Sequence, residues 1–144
     1  MSRIEKAISN FEGKYNCAQS VLSTFSTDYN LNIDTALKIA TGFGGGMARF
    51  GRTCGAVSGS YMVIGLRYGM GLNKDVEKKE KTYEVIREFS KRFQKLHGSE
   101  FCKELIGCDL STSEGREYFY QNGLFEKKCF HYVKNAVEIL EELL

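Results

Sequence analysis

Apolar residues recur at three- and four-residue intervals along most of the chain, the spacing of helices that bury one face. Val76, Tyr83, Ile86, Phe89, Phe93 and Leu96 form one such stripe, with lysines and glutamates between them. They predict a long amphipathic helix over 74–97, ended by Gly98. Phe125, Cys129, Tyr132, Ala136, Leu140 and Leu143 form a second stripe at the end of the chain. Shorter helices are predicted at 2–11, 16–28, 33–41, 54–70, 99–106 and 112–121. No series of alternating strands interrupts them, and no proline breaks them. The prediction is an all-α, single-domain helical bundle over residues 1–144, with a glycine-rich loop and no internal repeat.

That loop departs from the regular pattern. Ten of the 15 glycines lie between Gly42 and Gly71, beginning with Gly42-Phe43-Gly44-Gly45-Gly46. Three of them, Gly55, Gly59 and Gly65, fall inside a predicted helix, where each costs up to about 1 kcal/mol relative to alanine. Close helix contact is the simplest offset. Gly55, Gly59 and Val63 share a face, with Ala56 and Ser60 beside it, so another backbone or a bulky ligand can approach.

Charge sharpens the picture of this region. The formal total is only +2, which argues against a broad nucleic-acid surface. From Thr35 to Lys74, however, there is no Asp or Glu, while Lys38, Arg49, Arg52, Arg67 and Lys74 are all basic. The amino terminus is charged where a signal peptide needs an apolar stretch, and no apolar run approaches the ~18 residues of a spanning helix. A cytoplasmic location without membrane insertion is expected. In a reducing compartment, persistent disulfides are uncommon.

There are five cysteines, so they cannot all pair within one chain. Cys17 follows Asn16, an N-cap type, with Gln19 placed as a capping-box partner. Cys54 follows Thr53 after the glycine loop, and Cys102 stands three residues after Ser99. All three are predicted in the first turn of a helix, where free N–H groups and the helix dipole favour a thiolate. A dipole contribution of about 0.3–1 kcal/mol moves a pKa by less than one unit. Arg49, Arg52, a metal or the convergence of several such sites would have to supply the rest. Buried packing is the plainer reading of a lone cysteine, and it is strong for Cys129 on its apolar stripe.

Together these residues resemble a known family. Asn16-Cys17-Ala18-Gln19-Ser20-Val21-Leu22, Gly44-Gly45-Gly46 leading to Cys54-Gly55-Ala56-Val57-Ser58-Gly59, Phe101-Cys102-Lys103-Glu104-Leu105-Ile106-Gly107 and Lys128-Cys129 resemble the family named for its C_GCAxxG_C_C cysteine pattern. The resemblance spans nearly the whole chain and implies a redox-active protein. It assigns the family cysteines to Cys17, Cys54, Cys102 and Cys129, with Cys108 as the additional one. It also implies a protein partner in electron transfer or associated with a transporter.

Two redox chemistries fit these four residues. They can act as metal ligands, holding an iron–sulfur cluster or a zinc ion. Alternatively, Cys54 attacks and Cys17 resolves in a thiol–disulfide cycle, with no cofactor. No CxxC pair selects between them. A reading from another class is a non-enzymatic helical adaptor or anion-binding protein with structural cysteines. There Gly44, Gly45 and Gly46, with Arg49, Arg52 and Arg67, would bind the ligand, although no Walker A motif or GxGxxG after a strand is present. Gly55 and Gly59 would equally serve a homodimer contact. His97 is read as a partner of helix-end carbonyls and His131 as an exposed residue off the Cys129 face.

Overall fold

Two helices of small residues form the centre of the fold, which a computed structural model describes for all 144 residues. They are α2 (Cys17–Ser26) and α4 (Gly55–Tyr68). One buried hydroxyl on each donates within its own helix: Thr24 to the Ser20 carbonyl at 2.7 Å and Ser60 to the Ala56 carbonyl at 2.6 Å. Neither hydroxyl needs a partner across the interface, so the backbones can meet. A Cβ placed on Gly59 would lie 2.9 Å from the Ala18 carbonyl oxygen, and one on Gly55 would lie 2.9 Å from the Ala18 nitrogen. The close approach expected of these two glycines is internal to the chain. Gly65 has open space around it, so the contact that offsets the other two does not extend to it.

The remaining helices wrap this pair. Before it lies α1 (Arg3–Glu12), packed on α2, and between the pair lies α3 (Ile33–Ala40), also on α2. After it come α5 (Val76–His97), α6 (Cys102–Ile106), α7 (Ser113–Gln121) and α8 (Phe130–Leu143). α5 and α8 pack on α4 and on each other, and α8 also closes on α1. The result is a single all-α domain with one apolar core that includes Phe25, Ile64, Phe89, Phe93, Val137 and Leu140. No helix is long and apolar enough to cross a membrane.

The predicted helices are all present, with shifts that have physical causes. The long helix ends on Gly98 in the left-handed region, as expected. Its buried stripe is narrower than predicted, however, consisting of Val85, Phe89 and Phe93, while Val76, Tyr83 and Leu96 are exposed. The first turns of α5 and Leu96 face away from the neighbouring helices. The helix expected over 99–106 starts late, at Cys102. Residues before it are extended because the Cys54 N–H donates to the Glu100 carbonyl at 2.7 Å and the Cys102 N–H to the Arg52 carbonyl at 2.6 Å. These bonds accompany an isolated bridge between Thr53 and Phe101. The last helix is preceded by a π turn over Phe125–Cys129, a wider coil than the uniform spacing predicts.

The α2–α4 contact should decide how the glycines respond to substitution. Gly59→Ala is expected to destabilise the protein by about 1–3 kcal/mol, because overpacking against backbone outweighs the ~1 kcal/mol gained in helix propensity. Gly65→Ala should stabilise by up to about 1 kcal/mol. Urea unfolding of both variants checks the opposite signs.

Candidate functional site

The fold brings the starts of four helical segments to one place. Cys17 is the first residue of α2, and Asn16 caps that helix, its side chain accepting from the Gln19 N–H at 2.9 Å. Gln19 returns the bond to the Asn16 N–H at 3.0 Å, so the predicted capping box is formed. Cys54 is itself the N-cap of α4, so the cap falls one residue later than expected, and Thr53 is drawn into the bridge with Phe101. Cys102 opens α6 and Cys129 ends the π turn where α8 begins.

All four sulfur-bearing residues line a single cavity of about 390 Å³. That lies within the range of small-molecule and cofactor sites, roughly 300–1,000 Å³. Gly44, Gly45, Gly46 and Arg49 also line it, together with Phe119, Tyr120, Phe125 and Tyr132. Arg49 is the one charged lining residue. Two predicted participants lie elsewhere. Arg52 is not in the wall, because its carbonyl is tied to Cys102 and its guanidinium lies 4.9 Å from the Phe50 ring centre. Arg67 stacks over Tyr68 near the far end of α4. Cys108, read as additional, does not line the cavity and is half-buried.

The roof of the cavity is conformationally unusual. Gly45, Gly46, Met47, Ala48 and Arg49 all have positive φ, between 50° and 69°. For a residue with a Cβ this region costs about 1–2 kcal/mol, and three such residues occur in succession. Gly46 has no alternative there: a Cβ would lie 2.6 Å from both the Cys102 Cβ and the Arg52 nitrogen. The left-handed turn thus lies directly against Cys102.

Burial is the main influence on the Cys54 and Cys102 thiols, and Cys129 on that of Cys17. Cys17 is held well above the usual thiol range by its hydrogen bond with Cys129, by burial and by the neighbouring sulfurs of Cys129, Cys54 and Cys102. Desolvation pushes Cys54 up to about 12, against the pull of the Ala56 and Val57 N–H groups. Burial likewise raises Cys102, with Cys54 and Cys129 adding to it. The expected thiolate at the start of α4 is therefore corrected: the helix amides act in the predicted direction, but loss of water outweighs them. No three Cys, His, Asp or Glu side chains stand close enough together to hold a single metal ion.

Tyr132 is the main cavity residue that the periodicity treated only as core. It lies three residues after Cys129, and its hydroxyl donates to the Leu105 carbonyl at 2.7 Å. His97 does not bond helix-end carbonyls. Its ring sits 4.7 Å from that of Phe93 and 4.8 Å from that of Tyr132, and its Nε2 is buried without a partner. His131 is exposed, as expected.

Fold and site together define an all-α protein whose four cysteines, drawn from separate helical segments, share one cavity. Residues 15–143 match the C_GCAxxG_C_C family, described as "Putative redox-active protein (C_GCAxxG_C_C)", and the chain belongs to it. The chain is also 30% identical to an uncharacterized protein of Archaeoglobus fulgidus over 133 residues, covering 86% of this chain and 81% of that one. No solved structure matches.

The raised thiols make a pH prediction for the reduced, metal-free protein. A Cys54 proton held from 9.0 up to about 12 contributes stability that is complete below pH 9 and is lost as pH rises toward 12. The melting temperature should therefore begin to fall above about pH 9, and less steeply in Cys54→Ser. Thermal melts of the two proteins across this range make the comparison.

Proposed function

We propose that Cys17, Cys54, Cys102 and Cys129 together hold an iron–sulfur cluster and that the protein is an electron carrier. The observation that carries this reading is the convergence of four sulfur ligands on one cavity of about 390 Å³. Four thiolates are the usual donor set of such clusters. A half-open cavity of this size, walled by core side chains and four cysteines, suits a bound group. When bound, the cluster would supply a one-electron redox centre.

The surrounding residues have defined work in this reading. The Ala56 and Val57 N–H groups at the start of α4 favour negative charge on the Cys54 sulfur. Leu105, Ile106, Leu110 and Phe119 keep water from the interior side, and the left-handed turn covers Cys102. Metal binding would take the place of the thiol protons, removing the cost of leaving buried thiolates unpaired. A reducing cytoplasm would keep the ligands available.

A second reading rests on Cys129 as the nearest thiol neighbour of Cys17, the one that does most to hold its proton. In metal-free protein these two would pair as a disulfide by exchange with a partner protein's disulfide, which is reduced to its dithiol. This changes the pair expected from sequence: burial disfavours Cys54 as the attacking thiolate, and Cys129 is the partner in contact with Cys17.

Anaerobically purified protein separates the readings. Iron and acid-labile sulfide are expected in equal amounts, with visible absorption that bleaches on reduction. Each of Cys17→Ser, Cys54→Ser, Cys102→Ser and Cys129→Ser should lower both, while Cys108→Ser should not. Metal-free protein with a reversible Cys17–Cys129 disulfide would establish the second reading. If neither cluster nor disulfide forms, the cysteines are structural and the adaptor reading holds.

A further inference from the structure

Electron exchange is fastest where a redox centre lies nearest the surface, because the rate falls steeply with distance. Cys102 lies directly against the left-handed turn: a Cβ on Gly46 would lie 2.6 Å from both the Cys102 Cβ and the Arg52 nitrogen. Phe50 and Phe101 flank this point, and they are 59% and 52% exposed. The segments carrying them are held together by the Cys102 N–H to Arg52 carbonyl bond and by the Lys103 N–H to Gly51 carbonyl bond at 3.2 Å.

This face also carries cations without carboxylate partners. Arg52 stacks on Phe50, and Arg49 stands at the cavity mouth; neither forms an ion pair. Of the nearby acids, Glu100 accepts from the Tyr61 hydroxyl at 2.7 Å, and Asp109 accepts from Ser111 and lies 3.7 Å from Lys103. Glu104 is the exposed carboxylate that remains. The turn that packs Gly46 against Cys102 leaves the Phe50 ring in water, with the Arg52 guanidinium over it. Exposed aromatics set beside arginines are the usual anchors of protein interfaces.

We propose that Phe50, Arg52 and Phe101, with Arg49 at the cavity mouth, form the docking face for an acidic electron-carrier protein. The proposal rests on the redox reading and names the partner of that site. Complementary charge would steer the encounter, the aromatic pair would be covered on docking, and one electron would pass from the reduced carrier to the cysteine site. No bond changes in this step.

An acidic flavodoxin is a suitable probe, titrated by calorimetry into the full-length protein. Binding is expected at low ionic strength and should weaken as salt is added. Arg49→Glu/Arg52→Glu should weaken it at least about tenfold, as reversal of steering charges does at other interfaces. Phe50→Ala, which leaves the charge unchanged, should weaken it about threefold or more. Lys78→Glu/Lys79→Glu on α5 is the charge-matched control and should stay within about twofold. Absence of flavodoxin binding at low salt, or equal loss in the α5 control, would overturn the proposal. The titration needs no redox centre, so its outcome is independent of the iron and sulfide assay that tests the cluster.

Discussion

The contact of two backbones, between Ala18 of α2 and the Gly55–Gly59 face of α4, is the constraint on which the rest of the structure depends. Each of its partners is the chain neighbour of a cavity cysteine: Ala18 follows Cys17, and Gly55 follows Cys54. A Cβ on Gly55 would lie 3.2 Å from the Cys17 Cβ. The packing that closes the core therefore also sets two sulfurs beside the same cavity. Small residues are needed because hydroxyls and glycines let the helices meet without leaving polar groups unpaired.

A second constraint acts through the loop between α3 and α4. Its extended end pairs with residues 100–103, which delays α6 until Cys102 and delivers that sulfur to the cavity. Its left-handed turn holds Met47, Ala48 and Arg49 in a region that residues with a Cβ rarely occupy. Strain of this kind persists only where the surroundings over-determine it. Here the carbonyl bonds from Gly42, Gly44, Gly45 and Gly46 to residues 48–52 supply that determination. The turn therefore roofs the cavity on one side and forms an exposed aromatic and basic surface on the other.

Much of this was legible in the chain, for reasons that differ by element. Helical spacing and caps such as Asn16 are local signals, and they located the helices and placed Cys17 at the start of one. The Gly55–Gly59 spacing announced a close approach, although not that α2 would be the partner. Arg52 illustrates a limit: its neighbours in sequence suggested a ligand contact, but the pairing with residue 102 turned its side chain outward. The π turn before α8 was invisible to a search for uniform helical spacing, and with it the placement of Cys129 against Cys17. Tyr132 carried a core-like signal because it is both a core residue and part of the cavity wall.

By itself the sequence determined the helical class, the order of the elements, the family cysteines and the acid-free region around Cys54, because each is encoded by neighbours or by residue identity. Tertiary structure alone decided that the four sulfurs share a cavity, since they come from segments up to 112 positions apart, from 17 to 129. It also decided the protonation of Cys54 and Cys102. Local helix ends and basic residues favour thiolates at these positions, but desolvation depends on what the rest of the chain places around them, and in the folded protein desolvation is the larger effect.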